Sequence, residues 1–129
     1  MTIIWYILAG IIGVFSLMQI MIAIKSRMQK NKPAPQLNGK YGEALKSSSP
    51  SLFYFYSPGC RACKPMTPLI ERMGKTNPQV FKIDISREME IARSFGIMAT
   101  PSTILVKDGI IKEFLLGPQS ETALANLIQ

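Results

Sequence analysis

From Ile3 to Ile24 the chain is dominated by Ile, Leu, Met, Val, Ala and Phe, with Ser16 and Gln19 as its strongly polar interruptions. As a helix this stretch extends about 33 Å, which matches a bilayer hydrocarbon core of roughly 30 Å. Trp5 and Tyr6 stand at one end, where aromatic rings favour the membrane interface. A lone small domain rarely buries a helix that is apolar on every face, so the pattern predicts a transmembrane helix over residues 1–24. Gly10 and Gly13 are three apart and form no helix-dimer motif. No basic stretch precedes the span and no small-x-small site precedes Lys25, so a retained anchor fits better than a cleaved leader.

Residues 25–36 form a basic linker in which Lys32-Pro-Ala-Pro-Gln36 predicts a short extended spacer. Residues 37–129 are long enough for one small core. Their pattern predicts a short helix over Tyr41–Ser47 and a strand over Leu52–Tyr56, then the breaker Ser57-Pro58-Gly59. Met66, Leu69, Ile70 and Met73 have helical spacing, predicting a helix over Cys60–Gly74 with a kink at Pro68. A strand over Val80–Ile85 and a helix over Arg87–Phe95 ending at Gly96 come next. Ser102–Val106 and Ile110–Leu116 flank the hairpin signal Lys107-Asp108-Gly109, and Ser120 is placed to cap a last helix to Ile128. The order β-α-β-α-β-β-α implies an α/β domain: a mixed central sheet with helices on both faces, parallel at the helical crossovers and antiparallel at the hairpin.

Charge sharpens this picture. Fifteen Lys and Arg oppose eight Asp and Glu, a net +7, and no charged side chain lies in residues 1–24. Lys25, Arg27, Lys30 and Lys32 contribute +4 just after the span; the remaining eleven bases and eight acids leave +3. The basic excess therefore marks a membrane flank, disfavours nucleic acid as a partner, and makes the lipid bilayer one. By the positive-inside rule the domain faces the cytoplasm, the alternative being an extracytoplasmic domain. With no His, neither a Cys–His nor a Ser–His catalytic pair nor an imidazole metal site exists here.

Only Cys60-Arg61-Ala62-Cys63 carries legible chemistry. Placed after a strand and at a helix start, Cys60 would meet free backbone N–H groups and the positive end of the helix dipole, which favour a thiolate. Arg61 and Lys64 add positive charge beside it. Two intervening residues allow a disulfide, with Cys60 the exposed nucleophile and Cys63 the resolving thiol. A structural disulfide or half of a shared zinc site are the competing readings; the first would close too small a loop to stabilise much, and the second needs ligands from another chain. Met66, Met73 and Met98 read as gap-filling core and not as metal ligands. Asp84 reads as a strand terminator or a polar group beneath the site, and Arg87, Glu88, Glu90 and Arg93 as a solvated helix face.

In order as well as in motif, residues 37–129 resemble the thioredoxin family. Phe53 to Lys64 is similar to the family's strand, active-site turn and CxxC-K start; Pro68 falls at the family's helix proline. Ala99-Thr100-Pro101-Ser102 resembles its cis-proline loop, and Lys107-Asp108-Gly109 with Gly117 its last hairpin and following glycine. The resemblance implies a thiol–disulfide oxidoreductase acting on protein thiols and disulfides, with no cofactor beyond the Cys60–Cys63 pair and no metal. It implies a substrate groove at Gly59, Thr100, Pro101 and Gly117, where Thr100 pairs with an extended substrate segment. The electron donor or acceptor is not identified by the sequence. Gly59 replaces the family's Trp, Arg61-Ala62 its Gly-Pro, Tyr54 its buried Asp, and Val80 aligns with that acid's Lys partner. Without the acid, Cys63 loses its proton to water; the changed turn favours a more oxidising couple. A tethered adaptor or metal-handling module is the non-catalytic alternative.

Overall fold

The computed structural model describes residues 1–129. Its elements are α1 (Thr2–Gln29), α2 (Gly39–Lys46), β1 (Ser51–Tyr56), α3 (Met66–Thr76), β2 (Val80–Asp84), α4 (Met89–Ser94), β3 (Ser102–Lys107), β4 (Ile110–Leu116) and α5 (Glu121–Leu127). The four strands form one sheet in the order β2-β1-β3-β4. β1 and β3 occupy its centre and are buried on both faces, which explains their continuous apolar runs.

Alternation along β1 feeds two cores. Phe53 and Phe55 point to the face covered by α2 and α4, where Phe53 stacks on Phe81 at 5.1 Å and tilts against Phe95 at 5.2 Å. Leu52 and Tyr54 point to the other face, against Met66 and Ile70 of α3 and Leu124 of α5. The strongest local signals take the expected conformations. Asp108 and Gly109 both have positive φ, 54° and 73°, as a two-residue I′ hairpin turn requires. Ser120 Oγ accepts from the Ala123 amide and caps α5. Gly96, at φ 70°, ends α4 by donating to the Arg93 carbonyl while Ile97 donates to Ala92.

The structure corrects several sequence expectations. The helix expected from Cys60 starts only at Met66, and residues 61–65 are turns. Pro65 is its N-cap and Pro68 lies in its first turn, where a missing N–H costs nothing, so Pro68 has no bond to break and no reason to kink the helix. The second crossover does not give a parallel strand: β1 and β2 are parallel, but β3 runs antiparallel to β1. Tyr54 pairs in register with Lys82, not with Val80, which sits opposite Leu52. Met98 is no core residue; half of its surface is exposed.

No residue of α1 is buried, and the helix is long and apolar enough to cross a membrane. It continues past Ile24 through Lys25 and Arg27. The proline-containing segment after it is extended, as its two prolines dictate, and lies along the hairpin. Asn31 and Ala34 amides donate to the Ile111 and Gly109 carbonyls at 2.7 and 2.8 Å, and the Ile111 amide donates to Lys32. These bonds satisfy part of the open edge of β4.

Candidate active site

β1 delivers the chain to Tyr56, and the turn after it brings the Cys60 amide onto the Ser57 carbonyl at 3.1 Å. Cys60 and Cys63 form a disulfide, with Cα atoms 5.3 Å apart. The two sulfurs differ in access. Cys63 is 2% exposed, whereas Cys60 is half-buried at the surface. The Cys63 amide points at Cys60 Sγ from 3.1 Å, a ready donor for a thiolate there. This single amide, and not a helix N-terminus, is the backbone group that serves Cys60, because α3 begins six residues later. Arg61 and Lys64 are exposed, as solvated positive charges on the same turn.

The loop before β3 closes the other side. Its Thr100–Pro101 bond is cis, and the Pro101 carbonyl accepts from the Gly117 amide at 2.9 Å. Gly117 has φ 82°, where a side chain would be strained although space is free. Thr100 Oγ1 lies 3.5 Å from Ser57 Oγ, so the cis-proline loop and the cysteine turn meet. Pro101 is buried, Thr100 and Gly117 are half-buried, and Gly59 is exposed with no atom within 4 Å of a Cβ position. An open groove of about 300 Å³ runs past both cysteines between Tyr56, Pro58, Lys64 and Thr67.

Beneath Cys63 lies a hydroxyl cluster that no sequence motif announces. The Tyr54 hydroxyl, fully buried, donates to the Cys63 carbonyl at 3.2 Å and lies 3.1 Å from Thr67 Oγ1. Thr67 Oγ1 donates to the same carbonyl at 3.0 Å, as do the Met66 and Thr67 amides. Burial raises the Tyr54 phenol above its ordinary range, so it stays protonated near neutral pH. Tyr54 is thus both a core aromatic, stacked on Tyr56 at 5.8 Å, and a donor that fixes the Cys63 backbone. Lys82 sits 5.4 Å from the Tyr56 ring centre and binds Glu71 at 2.6 Å. That hydrogen bond lowers the Glu71 carboxyl and raises the Lys82 ammonium relative to their ordinary values.

Other candidates resolve as structure. Asp84 accepts from the Ser86 amide and hydroxyl at 2.9 and 2.6 Å, which lower its carboxyl and make it a turn former at the end of β2. Glu88, expected to be solvated, accepts from the Tyr41 hydroxyl at 2.9 Å. No cluster of three or more His, Cys, Asp or Glu is placed to hold a metal.

A dithiol on the turn after a central strand, opposite a cis-proline loop, is suited to disulfide exchange. Comparison with known proteins agrees. The thioredoxin family model matches residues 34–129. Thioredoxin of Rickettsia bellii is 33% identical over 89 residues, 67% of this chain and 85% of the relative. Thioredoxin of Bacillus subtilis is 30% identical over 77 residues, 57% and 74% of the two chains. Among solved structures, mitochondrial thioredoxin 3 of Saccharomyces cerevisiae superposes with a TM-score of 0.57 at 27% identity, covering 69% of this chain and 85% of its own. A thioredoxin variant from Halobacterium salinarum gives 0.60 at 26%, covering 75% and 92%. Thioredoxins exchange disulfides without a cofactor beyond their own cysteine pair. With its Cys60–Cys63 pair, cis-proline loop and sheet order in place, this chain belongs to the thioredoxin family and is a thiol–disulfide oxidoreductase.

Proposed function

We propose that this is a membrane-tethered oxidoreductase for protein disulfides, in which Cys60 attacks and Cys63 resolves. The unequal exposure of the two sulfurs carries the assignment of roles. In the reduced protein the Cys60 thiolate attacks one sulfur of a substrate disulfide; a Cys60–substrate bond forms, and the other substrate sulfur leaves as a thiolate and takes a proton. Cys63 loses its proton to water and attacks Cys60 Sγ. The second substrate thiol is released, and the structure's Cys60–Cys63 disulfide results. Two electrons have passed to the substrate, and a dithiol donor returns them. Arg61, Lys64 and the Cys63 amide favour the Cys60 thiolate, and Gly59, Thr100, Pro101 and Gly117 form the rim that receives the substrate backbone.

Helix α1 is the tether. Its unburied apolar length supports insertion, and the Lys25–Lys32 cluster supports a domain on the cytoplasmic side. Reduction of insulin disulfides by the reduced full-length protein tests the enzyme reading, with loss of turnover expected in Cys60→Ser. A binding module would show no Cys60-dependent turnover. Topology is tested by an impermeant thiol reagent on a cysteine introduced at Gln36, in a background lacking Cys60 and Cys63. Protection in intact cells is expected; labelling would place the domain outside.

A further inference from the structure

The last turns of α1 do not hang free of the domain. Ile22, Lys25, Ser26 and Gln29 line a narrow crevice against Gly96, Met98, Phe114 and Leu116, and Lys30 binds Glu113 at 2.6 Å. A Cβ on Gly96 would collide with the Gln29 side-chain amide. This seat is next to the substrate rim on both sides. Met98 is two residues before Thr100, at most about 7 Å along the chain, and Leu116 is the neighbour of Gly117.

Depth along α1 comes from its rise. With Ile24 at the edge of the hydrocarbon, Met21 and Met18 lie roughly 4.5 and 9 Å inside it. Met98, half exposed, shares an open apolar groove of about 540 Å³ with Met18, Met21, Ile22 and Met28, rimmed by Lys25 and Lys32. Met18 and Met21, which line this groove, are the residues that this depth places inside the hydrocarbon. Lys25, Arg27 and Lys32 form no ion pair within the protein, as cations that meet anionic headgroups would not. Lipid of the surrounding bilayer is therefore the occupant that both the apolar floor and the charged rim fit.

We propose that the cis-proline loop rests on the bilayer with Met98 in lipid, so that the Cys60 groove opens at the membrane surface and its substrates are disulfides held close to membrane-spanning segments. This rests on the tethered reading of α1. Met98 lies outside both cores and is half exposed beside the rim, where lipid would cover it.

Two measurements test the placement, both on the full chain in vesicles of phosphatidylcholine and phosphatidylglycerol. In the first, Met98→Trp in a Trp5→Phe background leaves one reporter indole. Blue-shifted emission, quenched by acyl-brominated lipid and shielded from iodide, is expected. Water-like emission quenched by iodide alone, from protein that floats with the vesicles, overturns the placement and leaves the tether standing. Protein that does not float with the vesicles removes the tether and this inference together. In the second, the reduced wild-type protein meets two anchored peptides. One carries its disulfide beside the membrane segment, and the other carries it beyond a stiff helical spacer of about 30 residues, roughly 45 Å. The near disulfide is expected to react on the order of tenfold faster, as effective concentration dictates. Equal rates, or a faster distant one, contradict the inference.

Discussion

Removing the Tyr54 hydroxyl probes the underside of the site without touching a sulfur. Tyr54→Phe deletes one donor to the Cys63 carbonyl, at 3.2 Å, and one contact with Thr67 Oγ1, at 3.1 Å. The carbonyl keeps the Thr67 hydroxyl and the Met66 and Thr67 amides, so nothing buried is left unpaired. The loss is then that of an ordinary net hydrogen bond, about 0.5–1.5 kcal/mol, and not the 1–3 kcal/mol of an orphaned group. For a domain of this size 1 kcal/mol corresponds to a Tm drop of about 4–8 °C. Urea unfolding at pH 7 measures it. Because burial holds the phenol protonated, Tyr54 neither gains nor loses a proton in the neutral range. The pH profile of turnover between about pH 5 and 9 is therefore expected to keep its shape in Tyr54→Phe. A loss above about 3 kcal/mol, or a displaced limb of that profile, would refute the view of Tyr54 as a positioning donor.

Three further outcomes rest on named contacts. Thr103 Oγ1 is buried with no partner, so Thr103→Val is expected to stabilise by about 1 kcal/mol in urea unfolding; a destabilised variant would mean that the hydroxyl is bonded. Burial and the Glu88 carboxylate push Tyr41 from 10.0 up to about 12, so its neutral form favours the folded state. That contribution is complete below the unfolded value near 10 and is lost as pH rises towards about 12. The stability difference between wild type and Tyr41→Phe is expected to narrow across that window, and a pH-independent difference would contradict it. Gly96→Ala forces a side chain into φ 70° and against Gln29, costing about 1–2 kcal/mol in thermal unfolding. The double change with Gln29→Ala is expected to recover only a minor part, since the backbone strain stays; full recovery would assign the cost to the Gln29 contact alone.

Much of the fold is legible in the sequence because its signals are local. The run Ser51–Tyr56 is a central strand, Asp108-Gly109 can only turn, and Ser120 caps α5. Expectation and structure part where distant geometry decides. The apolar spacing of Met66, Leu69, Ile70 and Met73 does not carry the helix upstream to Cys60, because Pro65 and Pro68 have no N–H to give the Arg61 and Lys64 carbonyls. The antiparallel β3 is a matter of strand pairing that no local pattern announces: α4 is only six residues long, and the connection ends near where it began. β3 therefore starts at Ser102, opposite Phe55, near the end where β2 stops. At the site, the CxxC and the Pro101 loop are visible as motifs. The hydroxyls under Cys63 come from β1 and α3, and only the packed fold shows that Tyr54 and Thr67 share one carbonyl. Lys82 is likewise hidden, since its pairing with Tyr54 depends on strand register.

The division of labour between the two cysteines is tested most directly by trapping. Reduced full-length Cys63→Ser and Cys60→Ser are each incubated with a disulfide-bonded protein, alkylated and resolved without reductant. The half-buried, more accessible Cys60 and the buried Cys63 predict that Cys63→Ser accumulates a mixed disulfide through Cys60, while Cys60→Ser accumulates none. Trapping through Cys63 in Cys60→Ser, with none in Cys63→Ser, would contradict the account.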